Sequence, residues 1–122
     1  MFSTAGGNPE LQVDLAVTTQ EHERGLAGRR SLGAGDGMAF LFDGDTSDAF
    51  WMKDTSIPLS IAFWDSSGRI VDTFDMTPCT AEPCTKYRSR APYVGAVEAN
   101  RGYFSRHGIG VGDRVDIRAP AC

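Results

Sequence analysis

Three side chains that could hold a ligand alternate along one stretch of this 122-residue chain: Trp51, Lys53 and Thr55. Extended backbone sends successive side chains to opposite faces, so these three share a face, and Phe50, Met52 and Asp54 take the other. A flat aromatic, a cation and a hydroxyl together suit an anionic or sugar-like ligand. The commoner arrangement of such residues is a tryptophan packed against a second sheet with the lysine stem running past it. Arg24 and Arg29 flank a short turn. They either answer the negative end of a helix or form a fork for a carboxylate, phosphate or sulfate. Two carboxylates are candidates for acid/base work. Glu98 stands near the end of the apolar run Tyr93-Val94-Gly95-Ala96-Val97-Glu98-Ala99, where it is either paired with an arginine or poised for proton transfer, pairing being the usual case. Asp54 adjoins Lys53.

Cys79 and Cys84 lie in Thr77-Pro78-Cys79-Thr80-Ala81-Glu82-Pro83-Cys84, a loop whose two prolines could turn it back and bring the thiols together. A disulfide there implies an oxidising compartment. The rival is a two-thiolate metal site, but no second cysteine pair or neighbouring histidine completes four ligands, so a disulfide is expected and no metal site or cofactor. Cys122 is the odd thiol and is expected to be free. Asp43-Gly44-Asp45-Thr46-Ser47-Asp48 opens like a calcium loop. Asp48 replaces its turn glycine, however, its last ligand would be Asp54, and strands flank it where helices should; a solvated turn is expected. No Ser-His-Asp or Cys-His constellation and no phosphate loop can be read.

The elements that must position these residues are mostly short and extended. Leu11–Val17 alternates apolar and polar residues as a half-buried strand. Thr18-Thr19-Gln20-Glu21 matches a capping box, and the helix it opens is expected to run to about Ala27, with Gly25 weakening its middle and Gly28 stopping it. Gly37–Phe42 reads as a strand buried on both faces. Pro58 interrupts the site stretch, so two strands should meet there at an edge, a bulge or a corner between sheets. Around and beyond it, Ile57, Leu59, Ile61 and Phe63 form one buried face, and Ser60, Ala62 and Trp64 point the other way. Ser66-Ser67-Gly68 joins this strand to Arg69–Met76 as a hairpin. Tyr87–Ser89 and Tyr93–Ala99 are further extended pieces. Arg101–His107 should be a helix ended by Gly108, with His107 as its cap. Gly112–Arg118 alternates again and is expected to close the sheet. The pattern predicts a mainly β fold: a single-domain β-sandwich or partly closed barrel with two short helices. Residues 1–10 are expected to be a flexible N-terminal tail and 11–120 one β-rich domain.

Composition narrows the partners. The formal charge is -4. Residues 1–85 hold 13 acids and 5 bases, and residues 86–122 hold 3 acids and 7 bases, a local excess of +4. Those bases are spread over several elements, which indicates self-complementarity within the fold and no nucleic-acid partner. No apolar run is long enough to cross a bilayer, so no transmembrane segment is expected in the chain. The polar, Gly-rich start lacks the apolar core of a signal peptide and could be what remains once an export signal or tether is removed.

Glu23-Arg24-Gly25-Leu26-Ala27-Gly28-Arg29, Gly37-Met38-Ala39-Phe40, Phe50-Trp51-Met52-Lys53-Asp54-Thr55, Ile57-Pro58-Leu59-Ser60-Ile61-Ala62-Phe63 and Gly108-Ile109-Gly110-Val111-Gly112-Asp113 resemble, in order, the signature of the domain of unknown function 192, a widespread bacterial and archaeal family. The resemblance implies a compact β-sandwich-like or pseudo-barrel fold, members that are often exported or envelope-tethered, and no established activity. It implies that Arg24, Arg29, Trp51, Lys53, Thr55 and Glu98 form one cluster. Ala27, Asp54 and Ser60 depart from the family pattern, which has Met, Asn and Asp there. The expected function is binding of a small polar or anionic ligand by Arg24, Arg29, Trp51, Lys53, Thr55 and Tyr87. The alternatives are a cofactor-independent envelope hydrolase or lyase using Glu98 or Asp54, and a structural module with a buried ion-pair network.

Overall fold

The computed structural model describes residues 2–3, 7–79 and 81–117. Its elements follow in the order β1 (Phe2–Ser3), β2 (Gln12–Ala16), α1 (Thr19–Arg24), β3 (Asp36–Thr46), β4 (Phe50–Trp51), β5 (Leu59–Trp64), β6 (Ile70–Met76), β7 (Lys86–Tyr87), β8 (Tyr93–Asn100), α2 (Tyr103–Arg106) and β9 (Arg114–Val115). Five strands form one open sheet in the order β2-β3-β8-β5-β6. Only the β2–β3 pair in it is parallel. Two antiparallel ribbons, β4–β7 and β1–β9, lie outside it. The fold is mainly β and β-sandwich-like, as its strand-rich, turn-punctuated pattern predicts, and its sheets do not close into a barrel.

Strand β5 is buried on both faces. Its alternation divides the core as expected: Ile57, Leu59, Ile61 and Phe63 join Phe40, Phe50, Met52, Met76 and Tyr93 on one side. Ala62 and Trp64 join Ile70, Val97, Tyr103, Phe104 and Ile109 on the other. The first side is covered by the β4 stretch and by Leu26, which follows α1; α2 and Ile109 cover the second. Each such large apolar side chain contributes about 1.5–3 kcal/mol when removed from water. Phe63 packs its ring 4.6 Å from that of Tyr93 and 5.6 Å from that of Phe50. Gly95 faces Trp64 across the β5–β8 pair, and a Cβ there would lie 2.2 Å from the indole. The missing side chain lets the ring lie flat over the strand.

Several boundaries differ from those the sequence suggests. The capping box forms, with the Glu21 N–H donating to Thr18 Oγ1 and the Thr18 N–H to Glu21 Oε1. Helix α1 nevertheless stops at Arg24, because Gly25 takes φ 49° and closes it. A Cβ on Gly25 would lie 3.4 Å from the Phe40 ring, so the glycine admits a close approach as well as a turn. Strand β3 continues to Thr46 through an irregularity after Leu41, so Asp43–Asp45, expected in a turn, are exposed strand residues. The closing segment does not extend the sheet. Arg114–Val115 pairs with Phe2–Ser3, held beside the β5–β6 turn by Val115 N–H donating to the Gly68 carbonyl. Arg118 and Cys122 lie outside the described residues. Helix α2 spans Tyr103–Arg106 and His107 is its cap, as expected, with its ring 4.3 Å from that of Tyr103.

The packing makes two stability predictions. Phe63→Ala should lower unfolding free energy by about 3–5 kcal/mol. Gly95→Ala, though it adds a single methyl group, should destabilise by at least 1 kcal/mol, about the onset of the overpacking range, because the indole must move. Urea denaturation of the two variants measures both.

Candidate functional site

Pro58 lies where the chain leaves the β4–β7 ribbon and enters the main sheet, which is the corner its position suggests. That corner leaves an open cleft of about 650 Å³ over the first core cluster. Helix α1 contributes His22, Glu23 and Arg24 to it; β3 contributes Phe40, Phe42 and Asp43; the β4 stretch contributes Phe50, Trp51, Lys53 and Thr55. Lys86 and Arg88 approach from β7 and the residues after it, Asp48 from the β3–β4 connection, and Glu98 from β8.

Trp51 is 46% exposed, so it is not packed under a second sheet. Lys53 Nζ lies 5.3 Å from the centre of its ring and 2.9 Å from Glu82 Oε1. The hydrogen bond and charge of Glu82 raise the lysine pKa, and Lys53 in turn lowers that of Glu82. Glu82 belongs to the loop closed by the Cys79–Cys84 disulfide, and Lys53 forms a backbone bridge with Cys79. Thr55 is buried, with its hydroxyl donating to the Lys53 carbonyl at 3.3 Å. Asp54 breaks the alternation. It adopts φ 59°, its carbonyl accepts the Gly28 N–H at 3.1 Å, and it lines neither cleft. Aspartate and asparagine are the non-glycine residues that best tolerate this left-handed conformation.

Glu98 is 4% exposed. Its neighbours across the ladders are Met38 and Ile61, so the pleat turns it toward the same side as the first core cluster. The expected pairing with an arginine does not occur: no ion pair among the described residues involves Glu98, and burial is the one influence on its carboxyl. Burial pushes its pKa up to about 8. At neutral pH it is a protonated acid, able to donate and to accept.

The candidate residues divide between places. Arg24, Trp51, Lys53, Thr55 and Glu98 share the first cleft. Arg29 lines a second cleft of about 410 Å³, which meets the first at Arg24, and its Nη2 lies 2.9 Å from Asp14 Oδ2. Tyr87 lines neither cleft; it pairs with Phe50, and its hydroxyl accepts the Thr77 N–H at 3.1 Å. Lys86, Arg88, His22 and Asp48 were not anticipated in the cleft. Lys86 is there because it lies opposite Trp51 in the β4–β7 ribbon, a long-range pairing that carries no local motif. His22 does carry a partial signal, since it occupies the second turn after a legible capping box.

A mainly β domain with an aromatic, mixed-charge cleft and a buried unpaired acid is the class these features define. The chain belongs to the DUF192 family, described as "Uncharacterized ACR", whose pattern matches residues 1–117. It is similar to a protein of unknown function from Novosphingobium aromaticivorans, with 31% identity over 95% of this chain and 81% of that one and a TM-score of 0.89. It is also similar to a protein from Sinorhizobium meliloti described as a candidate transcription regulator, with 34% identity over 94% and 88% of the chains and a TM-score of 0.84. No curated protein matches.

Glu98 makes stability depend on pH. Its folded pKa of about 8 lies above the free value of 4.5, so the contribution of the buried neutral acid is complete below pH 4.5 and is lost as pH rises through 8. Across this window the slope should approach about 1 kcal/mol per pH unit. Urea unfolding between pH 5 and 8.5 should show this decline in the wild type and not in Glu98→Gln.

Proposed function

We propose that the chain is an extracytoplasmic domain whose first cleft binds a small polar or anionic ligand. One observation carries this reading: Arg24 and Lys86, whose side chains form no ion pair with any described residue, line the same open cleft as Lys53 and the half-exposed Trp51. Uncommitted cations beside a flat ring are the usual means of holding an anionic group on an apolar body. The disulfide supports an oxidising compartment. Among the described residues no helix is long and apolar enough to cross a membrane.

The Sinorhizobium meliloti relative raises a role in transcription, which we do not extend to this chain. The net charge is -4, and several of its basic side chains are engaged internally: Arg90 with Asp72, Arg114 with the Ser67 carbonyl, Arg106 with the Arg101 carbonyl. A purely structural ion-pair role for Lys53 is also disfavoured, because Lys53 and Glu82 are both well exposed.

Glu98 favours a second reading. A buried acid that keeps its proton at neutral pH, opening onto a cleft, is placed as a general acid is placed, and a cofactor-independent hydrolase or lyase could use it. Asp54, outside both clefts, is not positioned to share that work.

A thermal-shift screen of anions and sugars tests the binding reading. A true ligand at a hundredfold excess over its Kd should stabilise the fold by about 2.7 kcal/mol, a rise of several degrees. The rise should shrink in Arg24→Ala and Lys53→Ala and persist in Arg29→Ala. A panel in which no compound loses its effect in the first two variants would defeat the proposal. Incubating each hit with the protein and following it by mass spectrometry separates binder from enzyme: conversion that Glu98→Gln abolishes would establish the second reading.

A further inference from the structure

We infer that the ligand of the first cleft is a small zwitterion, with an ammonium group held by the Glu98 carboxyl and the surrounding rings and an anionic group held by Arg24 and Lys86. The inference rests on the reading of this cleft as a ligand site and names the chemistry of what enters it.

The carboxyl of Glu98 carries the argument. It is 96% buried, it lines the cleft, no ion pair among the described residues reaches it, and burial alone acts on its charge. Burial with no counter-charge disfavours its ionised form. A group from outside the chain that completes it would therefore bind with a gain the protein cannot obtain internally. The rings around the cleft specify the sign of that group. His22, Phe40, Phe42, Phe50 and Trp51 all line it. The Phe40 and Phe50 rings meet edge to face at 5.0 Å, and His22 lies 4.3 Å from Phe42. Ring faces attract cations, most strongly where water is excluded, and rings combined with a carboxylate are the chemistry that recognises organic ammonium ions. Trp51 already draws one cation, Lys53, to its face.

The cleft's other charges require the second end. A ligand that is only anionic would meet Arg24 and Lys86 and leave Glu98 against apolar or anionic atoms. A ligand that is only cationic would satisfy Glu98 and leave those two cations unanswered. Of the remaining charged side chains, two are held within the fold and three acids line the cleft beside the two cations. Lys53 is held by Glu82, Arg88 donates to the Ser47 carbonyl, and Glu23, Asp43 and Asp48 share the cleft's lining with His22. From its own sheet Glu98 meets only the apolar Met38 and Ile61 as ladder neighbours. When the ammonium arrives, Glu98 gives its proton to solvent and becomes the carboxylate partner, with no bond to carbon formed or broken.

Calorimetry on the full chain at pH 7 and 9 tests this. The probes are glycine betaine and phosphocholine as zwitterions, choline as cation alone, and acetate and inorganic phosphate as anions alone. Both zwitterions should bind more tightly than any single-charge probe. Their affinity should rise roughly tenfold from pH 7 to pH 9, because the ionised fraction of an acid titrating at about 8 rises by that factor. At pH 7 binding should release close to one proton, measured by comparing buffers of different ionisation heat. Glu98→Gln should remove the proton release and at least tenfold of the affinity. Arg24→Ala should weaken phosphocholine and leave choline unchanged. The wild-type pH and proton data decide the matter even if Glu98→Gln does not fold. Anions that bind through Arg24 while zwitterions bind no more tightly, or an affinity that falls with rising pH, would overturn the zwitterion and leave the binding site standing. No binding by any probe, together with an empty thermal-shift screen, would remove both.

Discussion

Strand β8 lies between β3 and β5, and the cleft side of the molecule depends on that placement. A central strand is paired along both edges, so its pleat cannot slip without moving every side chain to the opposite face. The register that sends Val97 and Ala99 toward α2 necessarily sends Ala96 and Glu98 toward the aromatic cluster. An acid is thereby held where the strand pattern calls for an apolar residue. Fold stability alone gives no reason for it, since a hydrocarbon of the same size would avoid the desolvation cost. The arrangement is the kind of local conflict with packing rules that accompanies function.

The opposite wall is held by different means. Trp51 sits on a two-residue strand, too short to be stable alone, and Lys53 follows it in an isolated bridge to Cys79. Three ties fix it: pairing with β7, the Gly28 N–H on the Asp54 carbonyl, and the disulfide loop that reaches Lys53 through Cys79 and Glu82. The ties come from three separate parts of the chain. The wall is therefore positioned by tertiary structure around a stretch with little intrinsic preference for it. The left-handed Asp54 marks where the strand gives way to the corner, and it explains why Thr55 turns inward when simple alternation would leave it beside Lys53 on the surface.

Charge follows a similar division. The excess of bases after residue 85 is partly absorbed within the fold, by Asp72 on Arg90 and by backbone carbonyls on Arg88, Arg106 and Arg114. Exposed pairs such as Arg29–Asp14 and Lys53–Glu82 orient side chains more than they stabilise the fold. Arg24, Lys86 and Glu98, none of them in an ion pair among the described residues, line one cleft together with the acids Glu23, Asp43 and Asp48.

The sequence by itself determined the mainly β class, the two faces of β5, the β5–β6 hairpin, the capping box, the corner at Pro58 and the pairing of Cys79 with Cys84. Each of these is a matter of side-chain period, turn chemistry or short-range closure, which neighbouring residues express directly. It named Arg24, Arg29, Trp51, Lys53, Thr55 and Tyr87 as ligand-binding candidates and Glu98 and Asp54 as acid/base candidates, and only the family resemblance put Glu98 in one cluster with Arg24, Arg29, Trp51, Lys53 and Thr55. Only the tertiary structure separated Arg29 and Tyr87 from the cleft, brought Lys86 opposite Trp51, shortened α1 at Gly25 and withheld an arginine from Glu98. Those outcomes depend on strand register and on contacts between residues far apart in sequence, such as Arg29 with Asp14 and Gly28 with Asp54, and no local pattern encodes which distant partner a side chain will meet.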